Sequence, residues 1–76
     1  MNNKRREVLR RVIEELGKCC DVIDNINDAE HDSLENTPEN LKESERYYKM
    51  EEAADNLEDA YDQIAYAIEH IESACE

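Results

Sequence analysis

The residues best placed to do chemistry are carboxylates one helical turn apart: Glu52 with Asp55, Asp55 with Glu58, Asp59 with Asp62, and Glu69 with Glu72. Pairs at this spacing share a helix face and can hold a hard cation such as magnesium, as they do in some all-helical nucleotide pyrophosphatases. A magnesium-dependent nucleotide hydrolase is therefore the enzymatic reading. Position argues against it. The pairs fall on the outward side of a strongly acidic helix, where carboxylates are solvated and no pocket gathers a substrate.

A carboxylate metal centre within a bundle is the second chemical candidate. Asp28 and His31 have one-turn spacing, and Glu30 falls in an apolar column. Di-iron bundles need two Glu-x-x-His motifs, and the other histidine, His70, has Ala67 three residues before it. The chain also has no Cys-x-x-Cys, no His-Glu-x-x-His, no Gly-rich phosphate loop, and no nucleophile set beside a base. The sequence thus expects no enzyme, no cofactor and no metal, with His31 in a loop and His70 at the surface.

The acids belong to the chain's main element, a helix expected from Pro38 to Cys75. Met50, Leu57, Ile64 and Ile71 form one column at seven-residue spacing; Ala53, Ala60, Ala67 and Ala74 form a second; Ala54, Tyr61, Ile68 and Cys75 form a third. Residues three, four and seven apart share a helix face, so the columns are neighbours. The positions between them hold all nine acids from Glu51 to Glu76. Thr37-Pro38-Glu39 supplies the start signal, combining a capping hydroxyl, a proline suited to the first helical position and an acid at the positive helix end.

The first helix is expected over 4–34. Its columns are Leu9, Leu16 and Ile23; Val12, Cys19 and Ile26; and Ile13 with Cys20, flanked by Val8 and Val22. Asp, Asn and Ser crowd residues 24–36 and place the turn at 31–37. The whole chain, 1–76, is then one all-α domain, an antiparallel two-helix hairpin. With the turn centred near residue 36, position i faces roughly position 72 − i. Leu9 then lies near Ile64, and Leu16 near Leu57, while Lys4, Arg5 and Arg6 lie beside Ile68, Glu69 and Glu72. In this register Ile68, Ile71, Ala74 and Cys75 face a polar segment, and so do Val22, Ile23 and Ile26. A second copy is expected to cover them, giving a homodimeric four-helix bundle. Its self-association residues are Met50, Ala53, Leu57, Ala60, Tyr61, Ile64, Ala67, Ile68, Ile71 and Ala74.

Size and charge point the same way. A chain of 76 residues rarely buries a sufficient core alone. The net charge of −12 is divided unevenly: residues 1–18 hold six bases against three acids, and residues 19–76 hold three against eighteen. Such a body repels nucleic acid and suits a basic protein. The expected contact face is Glu51, Glu52, Asp55, Glu58, Asp59, Asp62, Tyr66 and Glu69, with the aromatic ring as anchor and Tyr48 on the same outward line. Three cysteines, two of them adjacent in a helix, read as reduced thiols. No run of 18 apolar residues and no apolar signal core are present, so a cytoplasmic protein without membrane contact is expected.

Leu34-Glu35-Asn36-Thr37-Pro38-Glu39-Asn40-Leu41, then Ser44-Glu45-Arg46-Tyr47 and Asn56-Leu57-Glu58-Asp59-Ala60, resemble a group of small acidic helical proteins. The group is encoded in prophages, mobile elements and genomes of Gram-positive gut bacteria. The resemblance spans Leu34 to Ala74. It implies a bacterial or phage setting and an interaction between phage and host, and it carries no assigned activity or functional residue. Two functional expectations follow: a self-associating acidic protein that binds a protein partner, or an inhibitor whose acidic face mimics nucleic acid and blocks a host defence or DNA-binding enzyme.

Overall fold

The structure, a computed structural model, describes residues 1–76. Helix α1 covers Asn3–Glu35, a 3₁₀ turn covers Glu39–Leu41, and helix α2 covers Glu45–Ala74, with no strand. The helices lie antiparallel and form a rod of 59 × 15 × 13 Å. Asn2 starts α1, its side chain accepting the Arg5 backbone N–H at 2.8 Å. The helix then passes through the polar stretch from Asp24 without breaking. Ser33 there turns its hydroxyl back to the Ala29 carbonyl at 3.1 Å, so it does not compete for the backbone from outside the helix.

The second helix begins seven residues later than the Thr37-Pro38-Glu39 signal implies. The Thr37 hydroxyl is already used, donating to the Ser33 carbonyl at 2.8 Å and so closing α1. Pro38 leads only into the 3₁₀ turn. Ser44, in extended conformation, is the cap of α2, and its hydroxyl oxygen accepts the Tyr47 N–H at 3.2 Å.

The longer connection moves the register. Arg6 Nε donates to the Cys75 carbonyl oxygen at 3.0 Å, so facing positions follow about 81 − i, not 72 − i. Leu9 faces Ile71, Ile13 faces Ile68, Ile23 faces Leu57 and Leu34 faces Tyr47. The apolar ends of the two helices thus meet in their own chain, and the expected mismatch at Ile68 and Ile71 does not exist. Of the basic cluster, Arg6 meets the end of α2, at Cys75 and not at Ile68, Glu69 or Glu72. There Arg6 satisfies a carbonyl that has no partner within the helix and sits at its negative pole.

The sheltered residues of α1 are Arg6, Leu9, Ile13, Leu16, Cys20, Ile23, Asn27, Glu30 and Leu34, a strict alternation of three and four. On α2 the matching line is Tyr47, Met50, Ala54, Leu57, Tyr61, Ile64, Ile68, Ile71 and Cys75. This is a coiled-coil seam. It is thin: only Cys20 and Ala54 are fully buried, and the other members are half-covered, Tyr61 less than that. Gly17 stands beside the seam, with open space where a Cβ would be. Gly17→Ala should therefore stabilise the hairpin by about 1 kcal/mol through helix propensity alone. Thermal unfolding followed by circular dichroism measures it.

Candidate functional site

The seam divides the surface of the rod into two flanks of opposite character. On one flank Asp24, Asp28 and His31 of α1 approach Glu58 and Asp62 of α2 across a groove of about 320 Å³. Ile23, Asn27, Leu57 and Tyr61 complete its lining. Nearer the chain ends the same flank continues with Arg10 and Glu14 opposite Glu72 and Glu76. His31 is thus a helical groove residue and not a loop residue, and His70 is exposed. No three His, Cys, Asp or Glu side chains gather closely enough to hold one metal ion. What the groove offers is a negative potential concentrated between two helices.

All eight residues of the expected partner face are exposed. Glu58 and Asp62 line the groove, while Glu51, Glu52, Asp55, Asp59, Tyr66 and Glu69 spread over the outer side of α2. The three ion pairs of the chain are local, Lys18–Glu15 at 3.3 Å, Lys42–Glu39 at 3.2 Å and Lys49–Glu45 at 3.6 Å. None of them neutralises an acid of that face. Of the expected self-association residues, Met50, Leu57, Ile64, Ile68 and Ile71 lie half-covered in the chain's own seam. Tyr61 stands at the rim of the groove, Ala60 and Ala67 are half-covered, and Ala53 and Ala74 are exposed.

The other flank is apolar. At 100° per residue, Val8, Val12, Cys19, Val22 and Ile26 lie about a quarter turn around α1 from the seam, on the side away from Asp24 and Asp28. Ala53, Ala60, Ala67 and Ala74 lie similarly around α2, away from Glu58 and Asp62. Since the acidic sides of both helices meet across one groove, the valine and alanine lines share the opposite side. Val8, Val12, Val22 and Ile26 are between 39% and 57% exposed, so the hairpin itself does not use them. The one charge in the line, Glu15, is paired with Lys18. The sequence groups Val12, Cys19 and Ile26 as one column of the apolar stripe, with Ile26 expected to be uncovered by its own chain. With Val8, Glu15 and Val22 they alternate by four and three, one residue out of step with Leu9, Ile13, Leu16, Cys20 and Ile23, and this is the signal that separates the two lines.

Charge is also divided along the rod. The end with both termini, residues 1–18 and 61–76, holds six bases and seven acids, a net −1. The connection end, residues 19–60, holds three bases and fourteen acids, a net −11.

The thiols differ by position. Cys19 is exposed on the apolar flank, Cys20 is buried in the seam, and Cys75 is half-covered. Burial pushes the Cys20 thiol above its ordinary pKa, with the charge of Asp21 and then Cys19 adding to the effect. The folded state therefore holds the Cys20 proton more tightly than the unfolded chain does. Its contribution to stability is complete at neutral pH and is lost as alkaline pH passes the raised value. Alkylation at mildly alkaline pH should modify Cys75 promptly and Cys20 only on unfolding; mass spectrometry after a short pulse reads the order. Cys75 is clasped to Arg6, which is thirteen residues, about 20 Å of helix, from Cys19, so any link between Cys19 and Cys75 must join two chains.

No helix of the chain is long and apolar enough to cross a membrane. No protein-family model, no curated protein and no solved structure matches the chain.

Proposed function

We propose that the protein is a non-enzymatic, self-associating helical protein that uses its acidic flank to engage a basic protein partner in the bacterial cytoplasm, from a phage or mobile-element gene. The observation that carries this reading is the two-sided rod: only two residues are fully buried, one flank is apolar, and the other is lined by unneutralised carboxylates. A hairpin with so little enclosed surface gains most from a second copy, which would complete a four-helix bundle. Folding and association are then coupled, so melting temperature should rise with protein concentration. It should rise with salt as well, because two acidic bodies repel in the assembled state.

A nucleic-acid mimic is the second reading, favoured by charge density. Two copies carry −24 along a 59 Å rod, one net charge per roughly 2.5 Å. Duplex DNA carries one per about 1.7 Å and a single strand one per about 3.4 Å.

Immobilised protein tests both readings on bacterial lysate, with Asp24→Asn, Asp28→Asn, Glu58→Gln and Asp62→Asn together as the control. A basic protein retained by the wild type, lost by the variant and released at high salt supports partner binding. Displacement of that protein by duplex DNA supports the mimic. Equal retention by wild type and variant would remove the acidic flank from the account, and a monomer at every concentration would remove self-association.

A further inference from the structure

We infer that the valine and alanine flank is the contact between two copies of the chain, stacked face to face with their connections at opposite ends of the bundle. The inference rests on the self-association just proposed and specifies its surface and orientation. Three observations carry it. The first is a shared centre of symmetry. Val8 with Ile26, and Val12 with Val22, are placed evenly about position 17 of α1, while Ala53 with Ala74, and Ala60 with Ala67, are placed evenly about a point beside Ile64 of α2. Position 17 and Ile64 face each other in the hairpin register set by Arg6 and Cys75. One two-fold axis through that level therefore stacks Val8 on the partner's Ile26, Val12 on the partner's Val22 and Ala60 on the partner's Ala67. A self-complementary patch of this kind is what a two-fold dimer requires.

The second observation is charge. With connections at the same end, a dimer would carry −22 at that end and −2 at the other; with connections at opposite ends, each end carries −12. Repulsion grows with the product of like charges, so the even distribution is favoured. It also brings the basic first half of α1 alongside the acidic second half of the partner's α1. This gives a use to charges that oppose the helix's own dipole, with Lys4, Arg5 and Arg6 at its positive end and Glu30, Asp32 and Glu35 at its negative end.

The third observation is area. The valine and alanine lines run about 30 Å along the rod, and only with the polar residues that continue this side to its full 59 by 15 Å, roughly 900 Å², does the contact match the ~800 Å² per partner of a stable interface. The small alanines let the α2 backbones approach closely, while the valine line fills the wider gap between the two α1 helices.

Spin labels at Asn40→Cys, in a chain with Cys19→Ser, Cys20→Ala and Cys75→Ser, report the orientation by electron–electron distance. Circular dichroism checks that this chain remains helical, and sedimentation equilibrium gives its oligomeric state beside the wild type's. Connections at opposite ends place the labels nearly the 59 Å rod length apart, and connections at one end place them within about 30 Å. In parallel, Val12→Glu with Val22→Glu should weaken the dimer by at least about 100-fold, whether the separated chain stays folded or not. Tyr48→Glu with Tyr66→Glu, on the outer side of α2, should leave it within threefold. Long distances with loss of the dimer in the valine variant support the inference. A dimer with close labels, or one indifferent to the valine changes, overturns it while leaving self-association intact. A wild-type monomer at all concentrations overturns both.

Discussion

Replacing Ile68 and Ile71 together by Asp is expected to unfold the chain at every protein concentration. In the observed register these side chains face Ile13 and Leu9 in the seam of their own hairpin. Each loses about 1.5–3 kcal/mol of apolar burial. Each also sets a carboxylate against apolar neighbours, where it must shed water or lose its charge. Against a total stability of about 5–10 kcal/mol for a domain this small, the pair is decisive. Circular dichroism across a wide concentration range measures the outcome. A variant that kept its helices and lost only its association would place the two isoleucines between copies, as the shorter register of facing positions near 72 − i expects, and would refute the seam described here.

Asn27→Leu should act in the opposite direction, raising stability by about 2 kcal/mol. Asn27 occupies a seam position facing Ala54, and its Oδ1 is enclosed with no hydrogen-bond donor. An orphaned buried acceptor costs about 1–3 kcal/mol, and leucine removes that cost while adding apolar contact beside Leu57. A polar residue at one seam position also penalises shifted pairings, since sliding the helices would set it against larger apolar side chains. The variant is therefore expected to melt higher but over a broader range, with crosslinks showing more than one register. Denaturant unfolding gives the first quantity; an unchanged or lowered midpoint would mean that a water or the Tyr61 hydroxyl already satisfies Asn27 in solution.

Fold class was legible because α1 and α2 each carry an uninterrupted apolar period of three and four, which few other arrangements could use. The register was not. It depended on whether Thr37 or Ser44 caps the second helix, and both have a suitable hydroxyl. The choice is settled by the Ser33 carbonyl, which occupies Thr37 and belongs to the preceding helix, so the local signal was sound and its neighbour overrode it. That shift of about nine residues in facing position carried the functional reading with it. Ile68, Ile71 and Ile23 moved into the chain's own seam, and Val8 and Val12 joined Val22 and Ile26 on the unpartnered surface. The acids of α2 were correctly read as outward because no apolar column included them. Their approach to Asp24 and Asp28 could not be read, since it too depends on register.

The distribution of apolar residues along the seam sets how the chain finds its fold. Nearest the connection only Leu34 with Tyr47 is an apolar pair, and the next two, Glu30 with Met50 and Asn27 with Ala54, offer little to an early hairpin; the strong pairs, Leu16 with Ile64 and Ile13 with Ile68, lie far from it. Leu34 and Tyr47 enclose twelve residues, whereas Leu16 and Ile64 enclose forty-seven. Closing the longer loop costs roughly 1.2 kcal/mol more in chain entropy. A helical hairpin would ordinarily zip from its turn in microseconds to milliseconds, as chains rich in local contacts do. Here the nucleus must form at a distance, so refolding should be slow for so simple a topology. Asn27→Leu, by strengthening the pairs near the connection, should speed refolding more than it slows unfolding, and a stopped-flow chevron in denaturant would separate the two limbs.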